Sequence, residues 1–154
     1  MKNRKAKIMA TITFLSIITL IGCAQKPPKA VPVTSFNAEK YLGKWYEIAR
    51  FDFRFEKGLN NTTAEYSLNE DGSIKVVNKG YDYTKKEWKE AIGKAKFRGD
   101  NTVGMLKVSF FGPFYAAYNV IAIDINYTYA LVAGKNLEYL WILSRETSIP
   151  DDVK

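Results

Sequence analysis

An all-β fold, an eight-stranded antiparallel up-and-down barrel, is predicted by three observations in the 154-residue sequence. Eight β-like runs follow one another, at about 43 to 52, 62 to 68, 73 to 81, 87 to 97, 103 to 111, 116 to 124, 128 to 133 and 138 to 144. Hairpin-sized segments of turn-forming residues separate them, among them Asn69-Glu-Asp-Gly72, Gly99-Asp-Asn101, Gly112-Pro113 and Gly134-Lys-Asn136. Apolar and polar residues alternate where the pattern is clean: Ala64, Tyr66 and Leu68 oppose Thr63, Glu65 and Ser67, and Ile74 with Val76 opposes Lys75. Connections this short join antiparallel neighbours. Eight such strands close into a cylinder without a free edge, a size that holds one small ligand.

Ahead of the strands lies a different kind of segment. Lys2, Arg4, Lys5 and Lys7 precede an uncharged apolar stretch from Ile8 to Ile21, followed by Leu20-Ile21-Gly22-Cys23. About 14 apolar residues fall short of the roughly 20 that span a bilayer. The pattern is that of a bacterial lipoprotein signal, residues 1–22, with Cys23 as the lipidated residue of the mature chain. Two or more acyl chains hold a protein stably on a membrane, and Ala24 after the cysteine points to the outer membrane. Residues 23–35, with Lys26-Pro-Pro-Lys-Ala-Val-Pro32, read as an extended tether. The domain, residues 36–154, begins at Phe36, and Asn37 caps a short helical turn up to Tyr41. At the other end, Thr147-Ser-Ile-Pro-Asp-Asp has a hydroxyl cap, an early Pro and acidic residues, the marks of a helix start.

Composition narrows the function. The +7 net charge shrinks once the signal is set aside: without its four cations, 19 basic residues stand against 16 acidic ones, a net of +3. That argues against nucleic acid as a partner. Histidine is absent, which removes the usual general base and the commonest zinc ligand, and Cys23 is the sole cysteine. No catalytic residue, metal site or cofactor is expected, and the chain is read as a binding protein rather than an enzyme.

Three motifs carry a resemblance. Tyr41-Leu-Gly-Lys-Trp-Tyr-Glu47 opens the first strand, Asp124-x-x-Tyr127-x-x-Ala130-Leu-Val132 lies between, and Tyr139-Leu-Trp-Ile-Leu-Ser-Arg145 closes the last. With Lys107-Val-Ser-Phe-Phe-Gly-Pro-Phe-Tyr115 they make the segment from about Phe36 onwards resemble the lipocalins, and most of all the bacterial outer-membrane lipocalins. The resemblance implies that Trp45 plugs the closed end of the barrel beneath Arg145, with Gly43, Asp124 and Tyr127 as turn and packing residues there. It also implies that a C-terminal helix and a short extra strand would follow the barrel, so the helix reads as truncated after its start.

The interior candidates follow from a period of two. If Arg145 points inward, so do Leu143 and Trp141; Trp45, Glu47 and Ala49 follow along the first strand, and Ile74, Val76 and Asn78 along the third. Tyr66 joins them from the second. The strand at 103 to 111 has two readings: hydrophobicity places Leu106, Val108 and Phe110 inside, whereas lipocalin registry places Met105, Lys107, Ser109 and Phe111 there. Ser109 is kept as a cavity candidate on the second reading, and Tyr115 as part of an aromatic and charged mouth with Phe51, Phe53, Arg54, Phe55 and Phe114. An inward Glu47 demands a cation such as Lys107, water, a ligand group or the solvated mouth; the other reading is a surface glutamate on a bulged strand. The expected partners are a fatty acid or lysophospholipid in the cavity and a membrane through the N-terminal lipid anchor, stored or transported at the cell envelope. A homodimer is compatible with the sequence, and a structural or protein-interaction lipoprotein with a filled barrel is the alternative.

Overall fold

The computed structural model describes residues 30–54 and 56–153. The signal segment, Cys23 and Phe55 lie outside the described residues. A four-residue helix, α1 (Ala38–Tyr41), precedes eight strands: β1 (Gly43–Arg50), β2 (Leu59–Leu68), β3 (Ile74–Asp82), β4 (Glu87–Phe97), β5 (Met105–Phe111), β6 (Phe114–Ile123), β7 (Tyr129–Ala133) and β8 (Leu140–Ser144). Each pairs antiparallel with the next, and β8 returns to β1, so the sheet closes into a barrel. All eight predicted strands form. Asn37 caps α1 as expected, its side chain accepting from the Lys40 N–H at 2.9 Å.

Directly opposed residues in a ladder share a face, so registers define the inner wall. One row runs Trp45, Ala64, Asn78 and Ala91; another runs Tyr66, Val76 and Gly93; a third runs Ile74, Ala95, Val108 and Ala116. The third row settles the parity of β5. Leu106, Val108 and Phe110 pack in or against the core, as hydrophobicity alone implied, while Ser109 opposes Lys94, itself opposite Lys75, on the outer face. The Phe110 ring lies where a β-carbon on Gly93 would stand, 2.8 Å away, so only glycine fits beneath it.

The closed end is built from the predicted residues. Trp45 is fully buried, and the Arg145 guanidinium carbon sits 3.9 Å from its ring centroid. Arg145 donates to the carbonyls of Lys44, Lys40 and Leu42 at 2.8 Å each and to that of Tyr127 at 3.2 Å. Four carbonyls and a ring consume the guanidinium, which leaves it no role in holding an anion. Gly43 enters β1 at φ +89°, a region L side chains avoid. Asp124 accepts from the Thr128 and Tyr129 N–H groups at 2.6 Å each, and the Asn37 N–H donates to the Tyr127 hydroxyl at 2.7 Å, tying the N-terminal turn to this end.

The tail departs from expectation. Thr147 to Pro150 form no helix, and a single turn follows, with the Val153 N–H donating to the Pro150 carbonyl at 3.1 Å. Cap and dipole signals assist a helix but do not offset the cost of nucleating one.

Trp45→Ala is expected to lower the unfolding free energy by about 3–5 kcal/mol, the usual cost of removing a buried Trp. Urea denaturation followed by far-UV circular dichroism checks this, and a wild-type midpoint would contradict the plug.

Candidate functional site

At the open end, the inner wall turns polar around Arg50. The pairing of β1 with β8 shifts register between Glu47 and Ala49: Glu47 opposes Leu143, but Arg50 opposes Trp141. The extra residue, Ile48, is a β-bulge, which reverses the alternation beyond it. Arg50 therefore points inward and Ala49 lies exposed on the other face, so Ala49 does not line the interior. Glu47 stays inside on this bulged strand, and its partner is Arg50 rather than Lys107. Lys107 lies on the outer face over the Tyr115 ring, 5.0 Å from its centroid.

Arg50 organises the cluster. Its Nη1 donates to Glu47, its Nη2 donates to the carbonyls of Glu56 and Leu59 at 2.8 Å each, and its Nε lies 3.6 Å from the Glu56 carboxylate. The Trp141 indole N–H donates to that same carboxylate at 3.1 Å. Phe53, expected on an exposed rim, is instead folded inward, with its ring 4.8 Å from those of both Tyr139 and Trp141. It packs on the Trp141 side of the polar cluster. Burial pushes the Glu47 carboxyl up despite the opposing Arg50 hydrogen bond, and Glu56 adds to the rise by repulsion. Burial raises Glu56 as well, against the Trp141 hydrogen bond.

Deeper inside, three tyrosines form a hydroxyl chain. The Tyr118 hydroxyl lies 2.6 Å from that of Tyr41 and 2.8 Å from that of Tyr66. Burial pushes Tyr66 up to about 12 and lifts Tyr41 and Tyr118 well above their usual value, so all three remain neutral. Around them the wall is apolar, with Ile74, Val76, Leu106, Val120, Val132 and Leu143 buried. Solvent still reaches inner-row Ala91 and Ala116, which are exposed. The buried side-chain oxygens of Thr62 and Asn78 and the Arg50 Nε meet no hydrogen-bond partner among the described residues. Where β1 and β2 part beyond Tyr46, a cleft of about 330 Å³ opens, lined by Glu47, Arg50, Leu59 and Thr62 among others, and Ala49, although off the inner wall, borders it as well.

Of the seven predicted cavity residues, Glu47, Tyr66, Asn78 and Trp141 share the inner face. Ser109 is on the outer face, and Tyr115 joins it there, half exposed in a second cleft with Lys75 and Lys94. A bulge between Val108 and Phe111 and the outward lysine row place them so. Arg50, Glu56, Tyr41 and Tyr118 were not anticipated. Opposite charges at Arg50 and Glu56, flanking an aromatic run, were the available signal for the first pair.

This geometry agrees with the relatives. Residues 36–154 match the model of the lipocalin-like domain. The chain belongs to the lipocalin family. It is 52% identical over 149 residues to the outer membrane lipoprotein Blc of Citrobacter freundii, covering 96% of this chain and 83% of that protein. The Escherichia coli K12 protein of the same name is 53% identical over 147 residues, 94% of this chain and 81% of its own. Among solved structures, insecticyanin from the tobacco hornworm superposes with a TM-score of 0.67 at 22% identity, covering 82% of this chain and 72% of that one, a likeness of fold alone. Family and relatives together support a lipocalin-type, small-ligand-binding lipoprotein of the outer membrane, and they point to a binding protein rather than to an enzyme.

A carboxylate with a higher pKa folded than unfolded favours the fold while protonated, so the contribution is full below about 4.5 and lost as pH rises through the higher folded value. Arg50→Met leaves both carboxylates without this cation. The expected loss is about 3–5 kcal/mol near neutral pH, the cost of breaking a buried pair, and most of it should be recovered near pH 4. Urea denaturation at the two pH values reads this out; an equal loss at both would refute the charge cluster.

Proposed function

We propose that the barrel binds a fatty acid or lysophospholipid and stores or transports it at the cell envelope. The observation that carries this reading is the division of the inner wall: apolar rows with solvent-reached Ala91 and Ala116, topped by the Glu47–Arg50–Glu56–Trp141 cluster. An acyl chain gains about 0.8 kcal/mol per buried methylene, against several kcal/mol of association cost. Micromolar affinity for a long chain then needs no dedicated chemistry. The polar cluster supplies orientation, keeping the headgroup at the mouth. Thr62, Asn78 and the Arg50 Nε offer it unmet hydrogen-bonding capacity, which a phosphate, glycerol hydroxyl or carboxylate can use. Two acids against one arginine make the mouth a poorer host for a bare anion than for a headgroup that also carries a cation or hydroxyls. The lipid anchor at Cys23 would hold this binding site within reach of its source.

Titration with a fluorescent acyl probe tests the reading. Saturable uptake displaced by lysophospholipid is expected; well-folded protein that takes up none would point instead to a filled barrel serving a structural or protein-interaction role. Trp141→Ala should weaken uptake by about tenfold, roughly 1.4 kcal/mol, while leaving the fold intact. Unchanged affinity would remove Trp141 from the binding wall. Cys23→Ser should move the protein out of the acylated membrane fraction, and persistent acylation would overturn that site.

A further inference from the structure

We propose that the open rim of the barrel is itself a membrane-docking surface that rests on phospholipid, so that cargo passes between bilayer and lumen without crossing bulk water. Among the described residues, every exposed large aromatic lies in the open half: Phe51, Tyr83, Trp88, Phe111, Phe114, Tyr115 and Tyr139. The most exposed are Phe111 at 82%, Phe114 at 79% and Trp88 at 64%. Among the described residues, the closed half exposes only aliphatic residues of comparable size, such as Leu68 and Ile125. Chance placement of surface apolar residues does not sort by type and by end. The outer wall extends this surface: exposed Ile92 lines the same cleft as Tyr115. Exposed apolar patches of this kind mark interaction surfaces.

The chemistry of the rim selects a bilayer interface. Trp, Tyr and Phe sit at the headgroup boundary of membranes, where the rings are half buried and their polar tips stay wet. Interleaved with them are exposed Arg54, Lys57, Lys85, Lys86 and Lys135, against exposed Asp52, Glu87 and Glu138. That excess of cations complements anionic headgroups. The tether permits the orientation. Val33 is fastened near the closed end by its bonds to Val120 and Gly104, at 2.8 and 2.9 Å. The ten residues from Cys23 to Val33 reach about 33–36 Å when extended. A ten-residue strand tilted by about 40° advances only about 25 Å along the barrel axis. An acylated Cys23 can therefore lie level with the rim while the rim faces the membrane that holds it.

Fluorescence of the lipid-anchored protein, reconstituted into vesicles of phosphatidylethanolamine and phosphatidylglycerol with brominated acyl chains, tests this directly. The three tryptophans are Trp45 in the core, Trp141 inside the mouth and Trp88 on the rim. Bromine should quench Trp88, seen as a component of quenching present in wild type and missing from Trp88→Phe. Whatever quenching survives in Trp88→Phe reports cargo beside Trp141, so failure of docking and failure of lipid binding give different records. Phe111→Ser with Phe114→Ser, both on exposed side chains, should abolish the Trp88 component with an unchanged circular dichroism spectrum. Identical quenching of wild type and Trp88→Phe would overturn the proposal. So would self-association that the double variant abolishes while Trp88 stays unquenched, which would assign the rim to a second copy of the chain.

Discussion

The pairing of β1 with β8 is the constraint on which the rest depends. It removes the last free edge of the sheet, so the barrel closes by strand pairing rather than by a disulfide. It also carries the bulge at Ile48 that divides β1 into two functional halves. Below the bulge, Trp45 faces inward beneath Arg145 and seals the floor. Above it, the reversed alternation turns Arg50 into the lumen opposite Trp141. One inserted residue thus separates a cation that holds the closed end, bound by four carbonyls, from a cation held between two carboxylates at the mouth.

The two arginines illustrate how environment sets role. Arg145 meets neutral carbonyl dipoles and an aromatic face, so its charge is spread over fixed partners that a ligand cannot displace. Arg50 meets two side-chain carboxylates, one from its own strand and one from the loop that follows. Desolvation works against both acids, and the guanidinium offsets it only in part. Such a cluster is a costly way to stabilise a barrel mouth, since apolar residues of similar volume serve as well or better. Its presence in a partly open interior is what the proposed headgroup site requires.

Strand number, order and the closed end were legible in the sequence because they rest on local and repeated signals. Turn residues punctuate the runs, and Gly43, Trp45, Asp124 and Arg145 act through short-range geometry at strand ends. The mouth was legible only in part. Alternation located Glu47, Tyr66, Asn78 and Trp141, but Ala49 was misplaced because nothing in Glu47-Ile48-Ala49-Arg50 distinguishes a bulge from a continuous strand. Ser109 was misplaced for a related reason: the Val108-Ser-Phe-Phe run is apolar on both faces, so hydrophobicity and family registry disagreed, and the outward row of Lys75 and Lys94 decided it. Glu56 and the Tyr41, Tyr66 and Tyr118 hydroxyl chain depend on contacts between elements far apart in sequence, which no periodicity encodes.

The proposed function requires a lumen that admits an acyl chain. The most direct measurement is nuclear Overhauser contact between a carbon-13-labelled lysophospholipid and the methyl groups of the folded protein. A hollow barrel predicts contacts from the chain methylenes to Ala91, Val108 and Ala116 on the inner rows, with the glycerol protons near Trp141. Contacts confined to outer-face methyls such as those of Ala49 and Ile92, or none at saturating lipid, would contradict it.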